Sequence, residues 1–359
     1  MSEPLISPEP KPAATLPGST GASLTPEPKL NNNPQVHLSP NQKAWRRFKR
    51  NRPAVIGAWF LIILVIVVIA WPMVLKVASK SGPRGLAFAV QFDPDKLTDS
   101  SFDPPSAQHW FGTDVHGRDL VSRILYGAQV SLLVGGFGAL ISLIIGVLWG
   151  AIAGYLGGRW DNFMMRVVDI LYSLPSIIFV IVLITAFEGR IRTFFFDHLA
   201  GSNPELANNL VKFTRLFLLI IGLGAVSWLN MARIVRGQVL VLRSRSFVEA
   251  SKTLGARNRH ILRHHILPNV FGVVIVYLTL TVPAIVLYES FLSFLGLGIQ
   301  PPMASWGSLI AEGADQINTI RVYWWLLAYP GTILIFTLLA LNFLGDGLRD
   351  AWDVRGDDK

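Results

Sequence analysis

The chain has 359 residues, of which 51% are hydrophobic and only 15% charged, with a formal net charge of +9. Soluble domains carry roughly a quarter charged residues, so this balance argues against a water-soluble core and points to lipid as the solvent. Cysteine is absent, which excludes disulfide scaffolds, thiolate metal sites and cysteine nucleophiles.

Residues 1–42 are rich in Pro, Ser, Thr, Asn and Glu and poor in large apolar side chains. They are expected to form a disordered cytoplasmic tail, because such a stretch cannot bury enough surface to offset its ordering entropy. A basic cluster with Trp45 and Phe48 follows, and then an apolar run, Ala54–Leu75, of membrane-crossing length. The run is too long for a signal peptide and no small-x-small cleavage site follows it, so it is expected to remain as an anchor. Five more apolar spans are expected: Val130–Ala153, Val167–Phe187, Leu216–Val235, Val270–Tyr288 and Trp324–Leu344. Pro175 and Pro283 fall inside two of them, where neighbouring helices or water can satisfy the freed carbonyls. The fold class is therefore all-α and integral to a membrane, with six transmembrane helices.

With both termini cytoplasmic, the inner segments collect about two-thirds of the 32 Lys and Arg residues, as the positive-inside rule demands. Topology thus accounts for the basic charge, and no nucleic-acid partner is needed. The polar outer segments are 76–127, 188–215 and 291–323.

The inner segment between the fourth and fifth spans carries the most information. Ser246 and Glu249 have capping-box spacing, Gly255 suits a left-handed helix end, Asn258 can cap a second short helix, and Pro268 is expected to stop it. A basic helix–turn–helix results. The pattern Glu249-Ala250-Ser251, Gly255, Leu267-Pro268 resembles the EAA signature of ATP-binding-cassette (ABC) importer permeases. The ending His265-Ile-Leu-Pro-Asn269 resembles the peptide and nickel branch. The segments Phe111–Leu120 and Ser293–Gly307 resemble that branch's approach to the second helix and its outer loop. From Lys43 to Asp353 the chain is thus similar to a C-type permease of dipeptide, oligopeptide or nickel importers.

The resemblance implies residues 43–127 as basic segment, anchor and outer segment, 128–350 as a five-helix permease domain with a coupling loop at 237–269, and 351–359 as a C-terminal tail. It implies a non-catalytic subunit of the bacterial cytoplasmic (inner) membrane that imports peptides, or alternatively nickel or another small solute. The implied partners are a second homologous permease, two ATPase subunits and an outer substrate-binding protein, with ATP and Mg bound by the ATPases and no cofactor in this chain. Glu249, Ala250, Ser251, Gly255, Ala256, Arg257, His265, Leu267 and Pro268 are the implied ATPase-coupling residues.

Asp169, Pro175, Glu289 and Trp306 are candidates for the pathway or a gate. Carboxylates at membrane depth are costly and hence functional candidates; Asp169 and Glu289 both lie near span ends, where they can reach water or a local cation such as Arg166 in a structural role, and Glu289 could alternatively contact a peptide amine. Trp306 suits an interfacial anchor. Gly146, Gly150 and Gly154 form a small-residue face for close helix packing. His260 and His264 have i, i+4 spacing, but lack the adjacent glutamate of a metalloprotease helix and sit among cations, so no metal site is expected. No Gly-Lys pair exists for a phosphate-binding loop. A stand-alone channel or secondary carrier is the other reading considered, and it would usually rely on mid-membrane charge that is nearly absent here.

Overall fold

The computed structural model describes residues 40–199, 204–317 and 321–352. The tail expected over 1–42 lies outside the described residues except for 40–42, and the final tail lies outside from 353 onward. All regular structure among the described residues is helical, and the one β-bridge, Thr113 with Asp119, closes a turn.

Residues 40–42 open a helix. The order begins with α1 (Pro40–Arg50), α2 (Arg52–Ala78) and α3 (Pro83–Gln91), and after an irregular outer segment continues with α4 (Leu120–Leu156), α5 (Gly158–Tyr172), α6 (Ser176–Leu199) and α7 (Pro204–Arg243). The segment after α7 holds α8 (Ser246–Thr253) and α9 (Asn258–Ile261), and a single π turn (Leu262–Ile266) leads into α10 (Leu267–Phe294). The chain closes with α11 (Trp306–Asp315) and α12 (Trp324–Trp352).

Among the described residues, five helices are long and apolar enough to cross a membrane: Arg52–Ala78, Leu120–Leu156, Leu210–Arg243, Asn258–Phe294 and Trp324–Trp352. The expected third span is not one straight helix. It is the pair α5 and α6, bent by 82° at Ser173-Leu174-Pro175. Pro175 has no amide hydrogen to continue the ladder of α5, and its ring opposes the preceding turn, so the chain turns there instead of bending gently.

Packing follows the apolar and small-residue faces. α2 leaves Ile56, Trp59, Ile62, Ile63, Ile66 and Ile69 exposed and packs along α12, as a peripheral anchor does. α4 lies along α7, and the glycine face makes this possible. A Cβ on Gly146 would stand 2.6 Å from Met231 Cβ, and one on Gly154 would stand 2.9 Å from the Arg236 carbonyl. Val134, Ile184, Leu219 and Ile285 bring α4, α6, α7 and α10 together in the largest apolar core. An inner core of Val235, Val239, Val248, Ile261, Ile266 and Val270 fastens the α8–α9 loop to the bundle.

Candidate functional site: a docking loop and a membrane cleft

The segment between α7 and α10 folds as two short helices with a fixed elbow, but not by all the expected devices. Ser246 is the first residue of α8 and Arg245 occupies the cap position without a side-chain cap, so the Ser246–Glu249 capping box does not form. Only Ser244 and Arg245 separate α7 from α8, and the Arg245 carbonyl instead accepts from the amides of Val248 and Glu249. The far end does follow the sequence. Gly255 sits at φ +81°, its amide donates to the Lys252 carbonyl, and the Ala256 amide donates to the Ser251 carbonyl. These two bonds are the paired closure of a left-handed helix end.

Asn258 does not cap α9; its side-chain oxygen accepts from the Tyr155 hydroxyl at 2.9 Å, tying the elbow to the end of α4. Nor does Pro268 end the helix. α9, the π turn and α10 form one continuous helix, with Pro268 in the first turn of α10. The π turn inserts one residue just before the proline, and Leu267 N–H bonds back five residues to Leu262. Proline is tolerated here because its absent donor falls in a first turn that follows a shifted ladder.

Ser251 Oγ lies 3.4 Å from His265 Nε2, joining α8 to the π turn, and Ala256 and Leu267 pack against the inner core. Glu249, Ala250, Arg257 and Pro268 are exposed, as is Leu254 at the elbow, with 87% of its surface open. His260 and His264 stack ring on ring at 4.3 Å.

The second feature is a cleft of about 770 Å³ walled by the α5–α6 break, α7 and α10. Pro175 lines it, together with Tyr172, Asn230, Tyr277, Thr281 and Tyr288. Two ion pairs hold α5 to α7 beside it. Arg236 grips Asp161 through two bonds of 2.5 and 2.7 Å, while Arg233 reaches Asp169 through one amino group at 2.7 Å. The cation that Asp169 reaches is thus Arg233, brought from a distant part of the chain, and not a local one such as Arg166.

Glu289 lies away from the cleft. It is fully buried between α10 and α4, accepting from Ser293 Oγ at 2.7 Å and Ser131 Oγ at 2.8 Å. Those hydroxyls in turn accept from the amides of Ile299 and Trp306. The carboxylate therefore organises the loop between α10 and α11 through two hydroxyl relays, and no ligand reaches it in this conformation. Trp306 is likewise wholly buried, donating its ring N–H to the Ile124 carbonyl at 3.2 Å. It is an internal strut and not an interfacial anchor.

A third cluster caps the N-terminal end of α4. Asp114 accepts from the His116 and Arg118 amides, from Arg118 Nε at 2.7 Å and from Arg123 Nη1 at 2.6 Å. Arg123 also forms a two-pronged pair with Glu312 of α11, at 2.5 and 3.0 Å. Asp119 caps α4 through the Ser122 amide and meets His109 at 3.1 Å. Burial pushes the Asp119 carboxyl above its usual range, against the lowering effect of its bonds to Ser122 and His109.

Residues 146–355 match the family described as binding-protein-dependent transport system inner membrane component. That is more than half of the chain. The chain belongs to this family. Residues 39–96 match a second family, the N-terminal TM domain of oligopeptide transport permease C. Similar curated proteins include the dipeptide transport system permease protein DppC of Bacillus subtilis, 42% identical over 316 residues, covering 88% of this chain and 86% of the relative. The oligopeptide transport system permease protein OppC of Haemophilus influenzae is 44% identical over 318 residues, 87% of this chain and 88% of the relative. OppC of Escherichia coli K12 is 42% identical over 312 residues, 87% and 90% respectively. A chain of the methionine ABC transporter MetNI, in an inward-facing conformation, aligns with a TM-score of 0.44 at 20% identity, covering 65% of this chain and 95% of that one. As a member of the family, this protein is the multi-pass membrane permease subunit of an ABC importer.

Proposed function

We propose that this permease, paired with a second permease of the same kind, forms the path by which peptides enter the cell across the bacterial cytoplasmic membrane. Two separate ATPase subunits bind ATP and Mg and dock on the elbow of α8 and α9, and an outer binding protein delivers cargo. The chain itself performs no catalysis. Both termini lie in the cytoplasm, a reading supported by the basic cluster of α1 and the basic inner loop. The peptide cargo is supported by the named functions of the relatives.

One observation carries the mechanism. The elbow is continuous with α10, and α10 is a wall of the cleft. A displacement of the docked elbow is passed along an unbroken helix to Tyr277, Thr281 and Tyr288, so ATP-driven closure outside the membrane reshapes the cleft inside it. This is a hinge or shear transition of packed helices. The test is reconstitution of the full transporter in vesicles with labelled dipeptides, longer peptides and nickel. Peptide uptake that requires ATP and the ATPases supports the reading; uptake without them, or of nickel alone, overturns it.

A further inference from the structure

We propose that Arg233 is a carboxylate-binding station in the cleft, where the terminal carboxylate of a passing peptide replaces Asp169. The proposal rests on the peptide-import reading above and adds a residue role to it. Among the described residues that line the cleft, Arg233 is the one with a charged side chain. The remaining polar groups there, such as Ser173, Asn230 and Thr281, are neutral. The charge that a passing peptide meets there is therefore this one ion pair, of which Arg233 is the member that lines the cleft.

The geometry of the guanidinium suits this role. It lies over the Tyr172 ring with its central carbon 4.2 Å from the ring centre, which fixes its plane. One amino group is taken by Asp169 at 2.7 Å, and the rest of its N–H fork has no partner among the described residues. A carboxylate approaching from the cleft can take two parallel bonds where Asp169 takes one, and two-pronged pairs are the stronger arrangement.

Comparison with the neighbouring pair separates a structural clasp from an exchangeable one. Arg236 and Asp161 join the same two helices, less than one turn away along α7, through two bonds, with the Asp161 side chain only 8% exposed. Asp169 is 64% exposed and Arg233 36%. Exposed pairs are weak because water screens them. The Arg236 pair already holds α5 on α7, so Asp169 can release Arg233 without loosening the bundle. In the empty cleft Asp169 serves as an internal stand-in for the ligand carboxylate.

The test uses the complete transporter in vesicles, comparing Arg233→Gln, Arg233→Lys, Asp169→Asn and the reversed pair Asp169→Arg with Arg233→Asp. Uptake of a dipeptide with a free carboxyl terminus is normalised to the amount of assembled complex. Arg233→Gln should lower uptake about tenfold and Arg233→Lys only about twofold, since lysine keeps the charge but not the fork. Asp169→Asn should keep or raise uptake and lower the half-saturating concentration, because the competitor is gone. The reversed pair should stay as slow as Arg233→Gln. Restoration by the reversed pair, or an Asp169→Asn loss as large as that of Arg233→Gln, would assign the two residues to a structural clasp and overturn the proposal; wild-type uptake by Arg233→Gln would do the same. A wild-type transporter that imports no peptide would instead remove the underlying peptide-import reading.

Discussion

Replacing Gly255 with valine isolates the geometry of the elbow from its surface chemistry. A Cβ at this position meets nothing within 4 Å, so the substitution creates no clash in the free subunit. Its whole cost is in the backbone, which holds φ +81° there. The left-handed region costs a residue with a side chain roughly 1–2 kcal/mol, with β-branched residues at the high end. At about 2 kcal/mol the native elbow loses population about thirtyfold relative to frayed ends of α8. The inner core of Val248, Ile261 and Ile266 is untouched, so the protein should insert and assemble in normal amounts. ATP hydrolysis by the reconstituted transporter should persist while ATP-driven peptide uptake falls by at least about tenfold, the remainder of the population shift being recovered by docking. Gly255→Asn should retain most uptake, because the short polar side chain of asparagine tolerates left-handed geometry. Uptake in the valine variant equal to that of the wild type would refute the link between elbow geometry and coupling.

Other substitutions test the packing and the outer cluster. Gly146→Leu places atoms within 2.6 Å of Met231 and should separate α4 from α7, seen as loss of monodisperse protein in detergent; a well-behaved variant with unchanged melting would contradict the close-packing argument. Arg123→Ala strips Asp114 of one cation and Glu312 of its two-pronged partner. Removing one member of a buried pair costs about 3–5 kcal/mol, so the melting temperature should drop by far more than in Arg46→Ala, a change on the exposed face of α1. Asp119 gives a pH signature. Its folded carboxyl is held above the value of 3.8 by burial, so its favourable contribution is complete below 3.8 and is lost as pH rises through the raised folded value. Asp119→Asn keeps an oxygen acceptor for the Ser122 amide and should melt at or above wild type at neutral pH, the difference closing as pH falls toward 3.8. A larger loss at neutral than at acidic pH would reverse the sign and refute this account.

Five of the expected spans were legible because lipid imposes a simple demand, about 20 apolar residues with little charge, which each segment states locally; the third, carrying Asp169 and Pro175, is instead the bent pair of α5 and α6. The elbow at Gly255 was legible for a similar reason: the left-handed position calls for glycine whatever surrounds it. What failed depended on partners distant in sequence. Near Asp169 the sequence offers water or a local cation such as Arg166, yet the carboxylate meets Arg233, which α7 brings to it. Glu312 joins Arg123 across 189 residues, and nothing near either residue announces the pair. Trp306 has the same sequence signal as an interfacial tryptophan, because a buried indole also needs one partner for its N–H. The Ser246 capping box failed through chain length: with two residues between α7 and α8, the Arg245 backbone takes the cap position. The π turn before Pro268 has no sequence signature, so a proline that ordinarily marks a boundary was expected to end a helix that in fact runs on.

The break at Ser173–Pro175 also bears on how the protein is made. α6 alone is not among the helices apolar and long enough to cross a membrane, and it qualifies only together with α5, from which it departs by 82°. Its apolar part, Ser176–Phe187, is followed at once by Glu188, Arg190 and Arg192. A nascent α6 leaving the translocation machinery therefore has weak cause to partition into lipid by itself. α7 supplies what it lacks: Leu216, Leu219 and Leu223 cover Val180 and Ile184, and Arg215 lies 3.4 Å from Glu188. This packing predicts that the two helices partition into the bilayer together, so that α6 would be retained there only once α7 has been made.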